Sequence, residues 1–163
     1  MWNRIQYGRS AIENRTVMLL LRAKFRHEQQ LLQQARALHE KNPSNNAQPL
    51  VSITIATYNR ADILVERTLP TVFEQTHQNF EVIIVGDHCT DNTAERIAAL
   101  NDSRVRFINL VERGNYPTNP KHRWMVAGTP PINRALRETK GDWIAHLDDD
   151  DSFEPTHLEE MVA

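Results

Sequence analysis

Four consecutive carboxylates follow a mostly apolar stretch near the C-terminal end of the sequence. Residues 143–147 read Trp-Ile-Ala-His-Leu, and Asp148, Asp149, Asp150 and Asp151 come directly after them. Adjacent like charges at the edge of a core are tolerable only where solvent or a cation neutralises them. Carboxylate oxygens suit Mg²⁺ or Mn²⁺, which bridge to phosphate oxygens. The pattern predicts a divalent-metal site at a strand end; the alternative is a solvated acidic turn or helix start.

Two earlier apolar stretches also end in polar groups. Residues 50–56 run into Thr-Tyr-Asn at 57–59, and residues 80–85 run into Asp87, which suits hydrogen bonding to a base or ribose. The carboxyl ends of parallel strands meet at one edge of a sheet, where ligands bind. A metal beside a diphosphate there would neutralise charge on the departing oxygen. We therefore expect the three polar groups to form one site.

Strand-like and helical segments alternate along residues 49–163. Strands are predicted at 50–56, 80–85, 105–110 and before the aspartates, and helices at 61–76, after Asn92, from Thr129 to Thr139 and near Pro155. This alternation predicts an α/β fold, with a mostly parallel sheet covered by helices on both faces.

Local signals refine these helices. Pro70 is expected to break or kink the first one, and Asn92 with Glu95 has the spacing of a capping box. Residues 111–128 show no clear period, which is typical of a binding loop. Gly141 is expected to end the helix before the aspartate strand.

Residues 1–48 differ from the rest in composition. They carry eight basic and three acidic side chains, a net charge of +5, and residues 12–41 are good helix formers. Residues 42–49 are typical of a linker. We expect a helical extension at 1–48, with a solvated face or a face for a partner or a second copy, and a globular domain at 49–163.

Several classes of protein are excluded. The single Cys89 allows no internal disulfide and is expected to be a buried thiol in a cytoplasmic protein. No apolar run approaches the roughly 20 residues of a membrane helix, so the expected membrane association is at most peripheral. Dinucleotide and Walker phosphate loops are absent, and no nucleic-acid partner is expected. His146, inside an apolar stretch, is expected to be a core histidine.

Four motifs in order carry a resemblance to a known family. They are Thr57-Tyr58-Asn59, Glu74-Gln75-Thr76, Gly86-Asp87-His88-Cys89-Thr90-Asp91, and Leu147-Asp148-Asp149-Asp150-Asp151 with Pro155. Together they resemble the family-2 glycosyltransferases, whose GT-A fold is a Rossmann-like, nucleotide-sugar-binding architecture. The sequence departs from the family pattern at Ala56, Gly86 and His88-Cys89.

The resemblance implies roles for individual residues. Asp148 and Asp150 would be the metal-binding ends of an Asp-x-Asp motif, with Mn²⁺ or Mg²⁺ as cofactor. The implied nucleotide-binding residues are Ala56, Thr57, Tyr58, Asn59, Asp87, Arg123 and Asp149, with Asp87 facing the base, Asp149 the ribose or donor sugar, and Arg123 the diphosphate.

The resemblance also implies an activity. It is a metal-dependent, inverting transfer of a sugar from a nucleotide diphosphate, with UDP-sugar favoured, to a hydroxyl of a glycan, lipid-linked or protein acceptor. The family's catalytic base and acceptor site would lie beyond Ala163, so a truncated chain is expected.

Two other functions stay open. One is a non-catalytic nucleotide- and metal-binding fragment with a partner-binding helix. The other is a sugar nucleotidyltransferase, which should show a glycine-rich basic loop after the first strand; residues 57–62 lack one.

Overall fold

The computed structural model describes residues 48–163 and seven positions of the N-terminal segment. Those seven are helical and exposed: Arg26, Gln29, Gln30, Gln33, Gln34, Arg36 and Ala37. The chain forms two compact units, Met1–Asn45 and Asn46–Ala163. The rest of the helix expected at 12–41, and most of the linker expected at 42–49, lie outside the described residues. No helix in the described part is long and apolar enough to cross a membrane.

The second unit contains a four-stranded parallel sheet. Its strands are β1 Val51–Thr57, β2 Phe80–Gly86, β3 Val105–Asn109 and β4 Trp143–His146. Their order is β3-β2-β1-β4, and every pairing is parallel. The predicted α/β class is confirmed, and all four predicted strands are present with boundaries shifted by a residue or two.

The register brings the strand ends together. Thr57 pairs with Gly86, so β1 and β2 end at the same level, and Thr54 pairs with His146 on the other side of β1. Both central strands are almost fully buried because their alternating and β-branched residues pack on both faces. The polar residues that follow β1, β2 and β4 therefore emerge at one edge.

Helices cover the sheet in several short pieces. They are α1 Ala61–Ile63, a π-helical segment Leu64–Thr68, α2 Leu69–Phe73, α3 Thr93–Ala99, α4 Pro120–Val126, α5 Thr129–Glu138 and α6 His157–Val162. The α5 prediction is confirmed, with two prolines in its first turn. Helix α4 lies inside the stretch expected to be irregular.

The chain stays helical through Pro70, so a break there does not occur. Proline cannot donate a backbone hydrogen bond to the residue four positions earlier. Directly before the proline, the Leu69 amide donates to the Leu64 carbonyl five residues earlier. The π-helical segment ends at Thr68, and Pro70 lies in the first turn of α2, which continues to Phe73.

The expected capping box at Asn92 is absent. The Asn92 side chain makes no cap hydrogen bond. Instead, Asp91 Oδ1 accepts from the amide of Thr93 at 3.2 Å and from its hydroxyl at 2.5 Å. Asp91 Oδ2 also accepts from the Ala61 amide at 3.3 Å, so one carboxylate joins the starts of α1 and α3.

Gly141 serves close packing rather than helix termination. Helix α5 already ends at Glu138, and a Cβ on Gly141 would lie 2.6 Å from the Leu50 carbonyl oxygen and 2.7 Å from the Ser52 amide. The absence of a side chain lets the chain pass against the start of β1 before it enters β4.

Candidate functional site

A cavity of about 220 Å³ opens at the carboxyl edge of β1 and β2. Six of the seven predicted nucleotide-binding residues line it: Ala56, Thr57, Tyr58, Asp87, Arg123 and Asp149. Six other residues complete the wall: Arg60, Arg113, Tyr116, Ala127, Gly128 and Pro131. The structure therefore brings the ends of β1 and β2, the aspartate motif and the 111–128 segment to one concave surface.

Asn59 has a different position. Its side-chain oxygen Oδ1 accepts a hydrogen bond from the backbone amide of Thr90 at 2.8 Å, and its side-chain nitrogen Nδ2 donates to the Thr90 hydroxyl at 3.2 Å. Asn59 also has a positive φ of 51°, which asparagine tolerates better than most residues. Its side chain joins the loops after β1 and β2 and does not line the cavity.

Thr57 offers a polar group to the cavity. It ends β1 and is 3% exposed, and its hydroxyl lies near the Asp149 carboxylate but makes no hydrogen bond of ordinary geometry within the described part of the chain. A buried hydroxyl without a well-formed hydrogen bond is costly, by about 1–3 kcal/mol. A ligand hydroxyl or carbonyl in the cavity would relieve this cost.

Asp87 already has partners from the loop that follows β3. Its Oδ1 accepts from the Gly114 amide at 2.9 Å, and its Oδ2 accepts from the Tyr116 hydroxyl at 2.8 Å. Arg113 Nε lies 3.6 Å from Oδ2. The pKa of Tyr116 is raised to about 12, mainly by burial and to a smaller extent by the hydrogen bond to Asp87. Asp87 therefore fixes the loop that forms the wall of the cavity.

Arg113 and Tyr116 are residues that the sequence analysis missed. The Arg113 guanidinium carbon lies 3.5 Å from the centre of the Tyr58 ring, a cation–π contact. Residues 111–128 were predicted to be a binding loop, but nothing in their spacing indicated which side chains would reach Asp87 and Tyr58. The charge of Arg113 and the aromatic ring of Tyr116 were the available signals.

The four consecutive aspartates do not all have the same charged partner. The Oδ1 atom of Asp148 lies 3.2 Å from Nε2 of His146. Asp149 and Asp150 instead share Nη1 of Arg60, at 3.0 Å and 2.7 Å. His146 is 43% exposed in its side chain, so the expectation of a core histidine was wrong. The physical reason is that β4 lies at the edge of the sheet.

The two carboxylates paired with Arg60 differ in environment. Asp149 is 8% exposed, and burial raises its pKa, while the nearby Thr57 hydroxyl and the Arg60 guanidinium oppose the rise. The side chain of Asp150 is 45% exposed. The charges of Asp149 and Asp150 in turn raise the pKa of Arg60.

The donor set of the motif fits a hard divalent cation. The side chains of Asp148 and Asp150 are 65% and 45% exposed and present carboxylate oxygens to solvent. Residues 48–163, with the few described positions before them, contain no group of three or more His, Cys, Asp or Glu side chains placed to hold a metal ion. Mg²⁺ commonly needs only one or two carboxylates, together with waters and substrate phosphates. The motif therefore fits a cation that arrives with a diphosphate.

Arg123 reaches the cavity from α4. The Asn119 side chain caps this helix by accepting from the amides of Lys121 and His122, at 3.0 and 3.3 Å. Arg123 Nε donates to the Pro117 carbonyl at 3.2 Å, which turns the side chain back along the loop. The helix thus places one guanidinium group at the cavity wall.

Cys89 is a buried free thiol, as predicted. It is 9% exposed, and its Sγ lies 3.7 Å from the Thr57 carbonyl oxygen. Burial raises the pKa of the thiol, which disfavours the reactive thiolate.

Comparison with known proteins decides the family. The model of the family "Glycosyl transferase family 2" matches residues 52–119 and 129–163, which is well over half of the chain. The chain belongs to glycosyl transferase family 2. This confirms the resemblance carried by the four motifs, and it places the chain in a family of transferase enzymes.

Curated relatives agree with this family. The chain is 32% identical over 120 residues to the succinoglycan biosynthesis protein ExoO of Rhizobium meliloti (strain 1021), covering 74% of this chain and 31% of the relative. It is 34% identical over 113 residues to the UDP-Glc:alpha-D-GlcNAc-diphosphoundecaprenol beta-1,3-glucosyltransferase WfaP of Escherichia coli, covering 69% and 40%.

Two solved structures share the fold. The first is S. aureus TarS 1-349, with a TM-score of 0.56 and 23% identity, covering 69% of this chain and 31% of that one. The second is the mannosyltransferase PcManGT from Pyrobaculum calidifontis in complex with GDP-Man and Mn²⁺, with a TM-score of 0.52 and 25% identity, covering 83% and 39%. The chain thus spans about a third to two fifths of the length of these four proteins.

Proposed function

We propose that this chain is the donor-binding part of a metal-dependent, inverting glycosyltransferase that uses a nucleotide-diphosphate sugar. The observation that carries the proposal is the cavity at the β1–β2 edge, which gathers six of the seven predicted nucleotide-binding residues, including Asp149 of the aspartate motif. The family membership supports the reaction class. The names of relatives support the donor class, since one acts on UDP-Glc and a structural neighbour binds GDP-Man with Mn²⁺.

Each part of the cavity has a proposed role. Thr57 and Asp87 bind the nucleoside, and Asp87 also holds the Tyr116 loop against it. Asp149 faces the ribose or donor sugar, and Arg123 pairs with the diphosphate. Asp148 and Asp150 would hold Mn²⁺ or Mg²⁺, which neutralises negative charge on the departing diphosphate.

The proposed transfer exchanges one bond at the donor sugar. The acceptor hydroxyl oxygen forms a bond to the anomeric carbon, the bond from that carbon to the diphosphate oxygen breaks, and a base takes the hydroxyl proton. Inversion requires attack on the face opposite the diphosphate. Among acceptors, a lipid-linked diphosphate sugar is supported by the relative WfaP, whose name gives such an acceptor.

Calorimetric titration of UDP into the protein with Mn²⁺ tests this proposal. UDP is expected to bind, and Asp150→Ala is expected to weaken binding by about tenfold or more, because a charge-assisted metal contact is lost. The matched control is Asp151→Ala, which removes the neighbouring exposed carboxylate and should leave the affinity within about twofold. Absent UDP binding, or equal binding by the wild type and Asp150→Ala, would contradict the assignment. GDP in place of UDP decides the base preference.

The second candidate function is donor binding without transfer. It is favoured by the fraction of its relatives that the chain spans, 31% for ExoO and 40% for WfaP. Release of the donor sugar or its transfer by the 163-residue chain, measured beside the relative WfaP as a positive control, separates the two. UDP binding without release or transfer of the sugar identifies these 163 residues as a binding part.

A further inference from the structure

Arg60 is a cation built into the aspartate motif. A single nitrogen, Nη1, lies 3.0 Å from Asp149 Oδ1 and 2.7 Å from Asp150 Oδ2. Arg60 comes from the loop after β1 and the aspartates from the loop after β4, so the two ion pairs cross the carboxyl edge of the sheet. The resemblance to the family implies no role for Arg60.

The pairing serves the buried carboxylate. Asp149 is 8% exposed, and an ionised carboxylate at that depth needs a nearby positive charge. Its backbone is held as well, since the Thr68 hydroxyl donates to the Asp149 carbonyl at 2.9 Å. Arg60 therefore has a fixed partner in Asp149 and a more exposed one in Asp150.

The same contact conflicts with metal binding. Asp150 is one of the two proposed metal ligands, and a divalent cation approaching its Oδ2 meets a guanidinium nitrogen at 2.7 Å. Two cations at the same oxygen repel each other. A metal bound at Oδ2 would therefore weaken the pairing of Arg60 with Asp150.

The cavity offers Arg60 a second partner. Its side chain is 51% exposed and lines the cavity in which the donor diphosphate is placed. Guanidinium groups pair well with phosphate oxygens. A bound diphosphate would therefore attract Arg60 away from Asp150.

We propose that Arg60 is an internal counter-ion of the aspartate motif, which a divalent cation displaces from Asp150 with the help of the diphosphate. The proposal rests on the metal assignment of the proposed function. In this proposal, Arg60 is a positioning residue that couples the binding of the divalent cation to the binding of the nucleotide. The metal alone binds weakly because Arg60 occupies Asp150. The nucleotide strengthens metal binding because its diphosphate gives Arg60 another partner.

Titration of the full chain with Mn²⁺ alone tests the competition, with free Mn²⁺ followed by its electron paramagnetic resonance signal. Arg60→Gln is expected to bind Mn²⁺ at least about threefold more tightly than the wild type, the scale of a partly exposed ion pair. UDP should then strengthen Mn²⁺ binding by a smaller factor in the variant than in the wild type. Unchanged or weaker Mn²⁺ binding by Arg60→Gln overturns the proposal.

Two control variants separate competition from a general change of charge. Arg134→Gln removes a positive charge from a surface pair with Glu138, and Arg96→Gln removes one from a surface pair with Asp62 and Glu66. Neither arginine lines the cavity or contacts Asp149 or Asp150, so both variants should keep the wild-type affinity for Mn²⁺ within about twofold. An increase in either control variant equal to that in Arg60→Gln would also overturn the proposal.

A measurement on the wild type does not depend on how the variants fold. The side-chain Nε resonance of Arg60, assigned by its loss in Arg60→Lys, is followed by nuclear magnetic resonance during titration with Mg²⁺ and UDP. The resonance should shift when both ligands are present, and no shift at saturation would contradict displacement. Failure of UDP to bind would count against the proposed function, whereas the Mn²⁺ titrations still decide the role of Arg60.

Discussion

At the scale of single residues, Asp87 connects the end of β2 with the loop that forms the cavity wall. It is 4% exposed, and its two oxygens accept hydrogen bonds from Gly114 and Tyr116. These two hydrogen bonds stabilise the buried carboxylate, and they also hold the segment from Gly114 to Tyr116 in place. This gives Asp87 a structural role in addition to its proposed contact with the nucleoside.

Asp87→Asn is expected to lower the free energy of unfolding by about 1–3 kcal/mol, because a buried hydrogen-bonded charge is lost while its donors stay in place. Urea denaturation followed by circular dichroism measures the change. Asp151→Asn serves as control, since an exposed carboxylate should contribute less than about 0.5 kcal/mol. Equal stability of Asp87→Asn and the wild type would show that the loop does not depend on this carboxylate.

At the scale of elements, α4 lies between the two segments that the family model matches. The family model matches residues 52–119 and 129–163, and the unmatched residues 120–128 contain all of α4. Three residues of this segment, Arg123, Ala127 and Gly128, line the cavity. Gly128 has a φ of +79° and precedes α5, a conformation that suits glycine. Part of the cavity wall is therefore supplied by a segment outside the family match.

Arg123→Gln is expected to weaken UDP binding by about tenfold, because a charge-assisted contact to the diphosphate is lost. Calorimetry with Mn²⁺ present measures it. Lys121→Gln, on the same helix but outside the cavity lining, removes the same charge and should change the affinity by less than about threefold. Equal losses in the two variants would indicate that α4 acts only through its general positive charge.

At the scale of the whole molecule, the second unit has a core of its own. The main cluster of buried side chains, as far as the structure describes it, runs from Val51 on β1 to Leu158 on α6 and includes β2 and α2. The unit begins at Asn46. A domain with its own core is expected to fold by itself.

A shortened chain of residues 46–163 is therefore expected to unfold in one cooperative transition and to bind UDP within about twofold of the full chain. Calorimetric scanning and titration test both statements. Aggregation of the shortened chain, or a loss of UDP affinity above about fivefold, would show that residues 1–45 are needed for the donor-binding unit and would contradict the predicted domain division.

Local sequence patterns were sufficient for the strands and for the placing of chemistry at their ends. Runs of β-branched residues indicated β1 and β2, and the polar groups at 57–59 and Asp87 followed them at once. Parallel pairing then brings these ends to one edge whatever the details of packing. Short-range signals were less reliable for a short helix without a clear hydrophobic period, such as α4. They were also less reliable where two neighbouring residues, Asp91 and Asn92, could each cap the start of α3.

The pairing of side chains was decided only by the tertiary structure. Arg60 and Asp150 are 90 residues apart, and Asp87 and Tyr116 are 29 apart, so neither contact has a local signature. His146 is exposed because β4 is an edge strand, a fact that depends on the order of the sheet. The sequence by itself determined which carboxylates reach the edge of the sheet. Which cation each one meets there was determined by the packing of loops from distant parts of the chain, since charge pairing depends on distances in space.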